Sequence, residues 1–378
     1  MTEAGGSCAR ARSVGDGLIA VSADGRSVYV AHDGIAAFAR NRRTGALRQL
    51  AGMAGCLRSD GARGCARARL AGEPIAISSD GSSVYTGGAT PGIGIFRRDR
   101  TTGALSELPG EAGCIKPADQ AQEGCMAGRG LGVGQASVRG FALSGDGRNV
   151  YPTSVALGGE TAAIARFDRD LTTGALTQPA GADACFTNRE TNGEPGCVLL
   201  RSVGSPNPAM LSPDGRSIYI GSGPTEAGTD DIAGAVAILR RDPASGALAQ
   251  PPGRDGCLRL SQGFKGADRA CASTDAVFRA ADVAVTPDSR TVYIASPFGL
   301  PGGGRVGVFA RSPRTGLLSE LRGRAVCVGR SRACIRARAI TAPRNIAVSP
   351  DGRNVYVAAQ AALTDDNPTV IASFHRAR

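Results

Sequence analysis

The chain has 378 residues, 54 of them glycine and 21 proline, no tryptophan, and a formal net charge of +11. No apolar run reaches 18 residues, which excludes a transmembrane helix. The positive charge does not single out a nucleic-acid partner, because only Lys116 and Lys265 among 44 basic residues are lysines and the arginines are scattered rather than gathered in runs.

Taken in order, the chain writes one unit six times. Ala20–Tyr29, Ala76–Tyr85, Ala142–Tyr151, Met210–Tyr219, Ala284–Tyr293 and Ala347–Tyr356 share a short apolar alternation, a turn carrying aspartate, and a second stretch ending in Val-Tyr or Ile-Tyr. The turn aspartates fall at Asp24, Asp80, Asp146, Asp214, Asp288 and Asp351, a spacing that marks a repeat architecture. Each unit predicts a hairpin, with β-branched and aromatic residues in its strands and proline or glycine in its turn. The aspartates are expected to accept local backbone hydrogen bonds and do nothing further.

After each hairpin comes a third apolar stretch and then a fourth. Ile35–Arg40 precedes Thr44-Gly45-Ala46-Leu47, Ile93–Phe96 precedes Thr102-Gly103-Ala104-Leu105, and Ile164–Phe167 precedes Thr173-Gly174-Ala175-Leu176. Val236–Leu239 with Ser245-Gly246-Ala247-Leu248, and Val306–Phe309 with Thr315-Gly316-Leu317-Leu318, complete the series. The Thr-Gly linker predicts a tight turn with glycine in the left-handed region. Four antiparallel strands per repeat define an all-β chain built as a β-propeller of four-stranded blades.

One domain is expected over 1–378, with repeats at 18–70, 74–135, 140–203, 208–279, 282–341 and 345–378. The sixth repeat stops after its third strand, Val370–Phe374. Residues 1–17 read as the tail of a repeat or as a segment that closes the sixth, since Cys8-Ala9-Arg10-Ala11-Arg12 matches Cys65-Ala66-Arg67-Ala68-Arg69. Six repeats are visible, and a seven-bladed parent is the rival.

The units Ser-Pro-Asp-Gly-Arg-x-Val-Tyr-Val (349–357) and Ile-x-x-Phe-x-Arg-Asp-x-x-Thr-Gly-x-Leu, written most fully at 93–105, resemble the lactonase-type propellers. These are the 6-phosphogluconolactonase-like family and the related YVTN surface-protein repeats. The resemblance covers nearly the whole chain and implies seven blades and, for an enzyme, lactone hydrolysis. Its motifs are turns and strands, so it transfers no catalytic residue.

Ten of the eleven cysteines form successive close pairs, Cys56/Cys65, Cys114/Cys125, Cys185/Cys197, Cys257/Cys271 and Cys327/Cys334, each at the same place in its repeat. The spacing is never Cys-x-x-Cys and only His32 and His375 exist to complete a metal site, so disulfides are expected, with Cys8 left over. Disulfides imply an oxidising compartment and a secreted or cell-surface protein. The first residues lack the apolar core of a signal peptide, so a leader is expected to be removed or to lie outside this sequence.

Function is expected where the repeats diverge. The residues leading into the first strand of each repeat, Asp16, Glu73, Arg139, Asn207, Asp282, Arg344 and Asn345, are expected at the channel mouth. There they would bind a polar ligand or polarise a lactone carbonyl. An acidic set, Glu226, Asp230, Asp231, Asp365 and Asp366, offers the oxygen ligands Ca²⁺ takes. His32 is the candidate base. A serine triad has no support, because no Gly-x-Ser-x-Gly elbow exists. The expected role is a module binding a small polar ligand or an extracellular protein or glycan. The alternatives are a lactonase-type, metal-assisted hydrolase and a purely structural surface repeat.

Overall fold

Tight turns decide the local structure. In a computed structural model, each aspartate turn closes a two-stranded hairpin in the same way. Asp24 Oδ1 accepts from Ser22 Oγ at 2.6 Å and from the Arg26 N–H at 3.0 Å, while Gly25 sits at φ +66°. Ser78 with Asp80, Ser212 with Asp214, Thr286 with Asp288, and Ser349 with Asp351 repeat the hydroxyl-to-carboxylate bond. In the fifth copy Ser289 replaces glycine at φ +58°, a position that disfavours a side chain. Its hydroxyl accepts the Asp214 N–H at 3.0 Å, a bond glycine could not make.

The structure describes residues 11–15, 17–87, 90–132, 134–156, 161–188, 196–223, 236–260, 271–297, 303–337, 340–360 and 369–376. Among these, no α-helix occurs, and the strands form six sheets. The chain divides into two compact units, the first Met1–Lys116, Ala121–Ala127 and Leu171–Ala175, the second Pro117–Gln120, Gly128–Asp170 and Leu176–Arg378.

In the first unit, the first sheet shows the common plan. Inner strand Leu18–Val21 pairs with Ser27–Ala31, which pairs with Ile35–Arg40, all antiparallel. The fourth strand departs from the expected single strand. Leu47–Gln49 covers one end of Ile35–Arg40, a 3-10 turn at Gly52–Gly55 interrupts, and Cys56–Arg58 covers the other end. Ala66–Arg67 then returns parallel to Cys56–Arg58. The sheets are therefore not four-stranded: the first, second, fourth and fifth have six strands and the third seven. The sixth has three, Ala342–Val348, Asn354–Gln360 and Thr369–His375.

The extra parallel strand explains the cysteine spacing. All five expected disulfides are present, with Cα–Cα distances of 4.7 to 4.9 Å, and each staples the outer strand to its return. Closing loops of this length removes about 2–3 kcal/mol of chain entropy from the unfolded state in each case. Cys8 lies outside the described residues.

Arginine carries the chain from one sheet to the next. Four residues past the second cysteine of a pair, Arg69 places its N–H on Glu107 and its guanidinium on the Gly124 and Leu108 carbonyls. Arg129 on Gln178 and Arg201 on Gln250 do the same in the second unit. Arg12 holds Gln49, Gly52 and Gly64 of the first sheet in this manner, as the tail of a repeat would.

Cores lie between sheets. Tyr29, Tyr85, Tyr151 and Tyr219 are fully buried, and each hydroxyl donates to a turn-glycine carbonyl, of Gly103, Gly174, Gly246 and Gly316 respectively. Arg98, Arg241 and Arg311 donate from Nε to Tyr29, Tyr151 and Tyr219. Their guanidinium groups pair with Asp24 at 3.0 Å, Asp146 at 3.6 Å and Asp214 at 2.7 Å. Asp24, Asp146 and Asp214 thus do more than accept local backbone bonds, because they also anchor an arginine of the following sheet.

Candidate functional site

The inner strands of the second unit pack in succession. Ala136–Leu143 lies against Ser205–Leu211, that strand against Asp282–Val285, and that one against Ala342–Val348. Three of the four carry a β-bulge near the start, between Val138 and Gly140, Pro206 and Ala209, and Pro343 and Asn345. An extra residue in a bulge leaves the ladder and re-aims its side chain. Arg139 and Arg344 are the extra residues in two of these strands, and both are exposed, as is Asn345.

Asn207 and Asp282 are used differently. Asn207 Nδ2 donates to the Ala280 carbonyl at 2.6 Å, and the Asn207 backbone carbonyl accepts from Thr153 Oγ1 at 3.4 Å. The Asp282 carboxylate accepts the Val283 N–H at 2.8 Å through one oxygen and the Ile346 N–H at 2.9 Å through the other. Burial drives the Asp282 pKa up to about 6, and the two backbone bonds only partly offset it. These two side chains tie neighbouring inner strands together, so they frame the row rather than extend from it.

In the first unit, Glu73 is exposed ahead of inner strand Ile75–Ile77 and precedes Pro74 through a cis peptide. Asp16 lies outside the described residues. His32 packs on the backbone of residues 15 and 17, where a Cβ on Gly15 would stand 2.5 Å from the ring. Its Nε2 is 3.8 Å from Asp33 Oδ2. Glu226, Asp230, Asp231, Asp365 and Asp366 lie outside the described residues, and among the described residues no group of His, Cys, Asp and Glu could hold a metal ion.

Lys116 was not a sequence-level candidate. It is buried, its Nζ donates to Thr90 Oγ1 at 3.3 Å, and burial lowers its pKa. The available signal was positional, since Lys116 follows Cys114 by two residues where Arg58 and Arg259 follow Cys56 and Cys257.

The fold is shared with solved structures at low sequence identity. The periplasmic gluconolactonase of Pseudomonas aeruginosa aligns with a TM-score of 0.53 and 17% identity over 90% of this chain and 77% of that one. A protein from Lactobacillus plantarum aligns with a TM-score of 0.53 and 16% identity over 92% and 81%. The hydrazine synthase of Kuenenia stuttgartiensis aligns with a TM-score of 0.51 and 14% identity over 94% and 82%. The chain has a β-propeller fold. Within that class its likeness to the gluconolactonase is one of fold alone. No family model matches the chain, and no curated protein sequence matches it.

Proposed function

We propose that this protein is an extracytoplasmic propeller module that binds a small polar ligand along the inner-strand row of its second unit. The observation that carries the reading is the bulge repeated in three of four neighbouring inner strands, beside which Arg139, Arg344 and Asn345 are exposed. Two guanidinium groups and an amide suit a carboxylate or a polyhydroxyl, so a sugar acid is the favoured ligand class. Five disulfides and the periplasmic location of one structural neighbour support a place outside the cytoplasm. Calorimetry with gluconate should give saturable binding that weakens by about tenfold or more in Arg139→Ala and in Asn345→Ala. Unchanged affinity in both variants removes this site.

A second reading, hydrolysis of a sugar lactone, is favoured by one feature. Beside this row, burial raises the Asp282 pKa to about 6, toward the range a general base needs. Ring opening of a gluconolactone, followed by proton release, should then fall in Asp282→Asn. Binding without turnover leaves the module, and neither activity leaves a structural repeat protein.

A further inference from the structure

A series of side-chain bonds crosses the second unit at the level of the bulges. Thr153 of the third sheet donates to the Asn207 backbone carbonyl, the Asn207 amide donates to the Ala280 carbonyl, and the Asp282 carboxylate accepts the Ile346 N–H. Of these three ties, the last alone runs through a group that gains or loses a proton near neutral pH.

Ile346 stands one residue past the bulge between Pro343 and Asn345, where the inner strand of the sixth sheet has regained its register. One oxygen of Asp282 takes that N–H at 2.9 Å while the other takes the Val283 N–H at 2.8 Å. A carboxylate can satisfy both donors at once, because it only accepts. The neutral acid turns one oxygen into a donor, so one of the two N–H groups loses its charged acceptor. A hydrogen bond to a charged acceptor is roughly twice as strong as a neutral one.

Four strands pack against Asp282–Val285: Ser205–Leu211, Ser217–Gly223, Thr291–Ser296 and Ala342–Val348. Their ionisable side chains are Tyr219, Tyr293 and Arg344. Burial raises the pKa of both tyrosines, and a guanidinium is charged throughout, which leaves the carboxyl as the member of this set that titrates near 6. Its pKa is raised by burial, against the two backbone bonds. His375 stands opposite Asn354, at the end of the sixth sheet away from the bulge.

We propose that Asp282 is a positioning residue that acts as a proton-operated latch: its carboxylate fixes the bulge presenting Arg344 and Asn345, and neutralising it in acid weakens ligand binding there. The inference rests on the reading of the inner-strand row as a ligand site. Affinity for an anionic ligand then rises as pH rises through about 6. Binding in turn releases protons in that range, because coupling between two bound species is reciprocal. Burial disfavours the charged form, so the latch closes against a desolvation cost.

Calorimetry with gluconate at about pH 5 and about pH 7.5 reads the binding, and amide hydrogen exchange in the ligand-free chain reads the latch. Gluconate stays ionised over this range. Wild type should bind about three- to tenfold more tightly at the higher pH, and Asp282→Asn should bind with the weaker affinity at both. The Ile346 amide should gain protection over the same range, relative to the other amides of Ala342–Val348, in wild type and not in Asp282→Asn. A variant that keeps the wild-type pH dependence overturns the proposal. Absence of gluconate binding at both pH values overturns the ligand reading and with it the control of affinity, whereas Ile346 protection that ignores pH overturns the latch itself.

Discussion

The hydroxyl of Tyr219 donates to the carbonyl oxygen of Gly316 at 2.6 Å and accepts from Arg311 Nε at 2.7 Å. The Arg311 side chain is fully buried, and its remaining donors meet Asp214, Ser212, Ser217 and the Ser289 carbonyl. Every polar atom brought into this junction therefore has a partner, which is the condition for burying a charge at tolerable cost.

Tyr219→Phe removes one donor and one acceptor at once, leaving a carbonyl and a guanidinium N–H short of a partner. Denaturant unfolding should show a loss of about 1–3 kcal/mol. Arg311→Met should cost as much or more, and the double variant less than the sum, because the two side chains share one network. Strict additivity would argue that they act independently.

Acid and base should move stability through different aspartates. For Asp24, burial favours a higher pKa, but bonds from Ser22, the Arg26 N–H and Arg98 outweigh it and bring the pKa down to about 2. Its contribution is full above the ordinary aspartate value and is lost as pH falls toward 2. Asp282 runs the other way: its folded pKa is raised, so its contribution is full below about pH 4 and lost as pH rises through about 6. The stability of wild type minus that of Asp282→Asn should therefore drop between pH 4 and 8, by up to ~3 kcal/mol. Parallel pH profiles would contradict the burial of this carboxyl.

Leucines in the same motif should differ sharply in worth. Leu248 is buried between sheets, and Leu248→Ala should cost about 2–5 kcal/mol. Leu47 is 51% exposed, so Leu47→Ala should change stability by no more than about 0.5 kcal/mol. Equal losses on thermal unfolding would show that the motif stabilises its own turn rather than the junction.

Thiol counting checks the staples. Ten of the eleven cysteines are paired, so alkylation of denatured, unreduced protein should label one thiol, that of Cys8. Replacing both Cys257 and Cys271 by serine should lower stability by about 2–3 kcal/mol. More than one labelled thiol in protein folded under oxidising conditions would break the pairing.

The repeats were legible because they are written locally. Asp24-Gly25 and Thr44-Gly45 announce their turns through residue type, and the alternation around Tyr29 announces its strand. Cysteine pairing was legible for the same reason, since each pair recurs at one place in the unit. The interruption of the outer strand at Gly52–Gly55 was hidden, because its two halves cover opposite ends of a single neighbour, Ile35–Arg40. The arginine links were hidden too: Arg98 and Asp24 are 74 residues apart, and nothing local to either names the other. At the candidate site, residue type showed which side chains lead into the inner strands. It did not separate Asn207 and Asp282, which bond to backbone of a neighbouring strand, from Arg139, which a bulge turns outward.

The Tyr219–Gly316 bond also sets an order of events for a chain that emerges from one end. Tyr219 cannot find its acceptor until 97 further residues have appeared. At roughly 5–20 residues per second, that is a wait of about 5–20 s. During that interval the newest hairpin exposes the face that later becomes core, and each sheet finishes only after its successor has begun. Nascent chains stalled shortly before Gly316 should accordingly bind general chaperones at Tyr219, and those stalled shortly after it should release them.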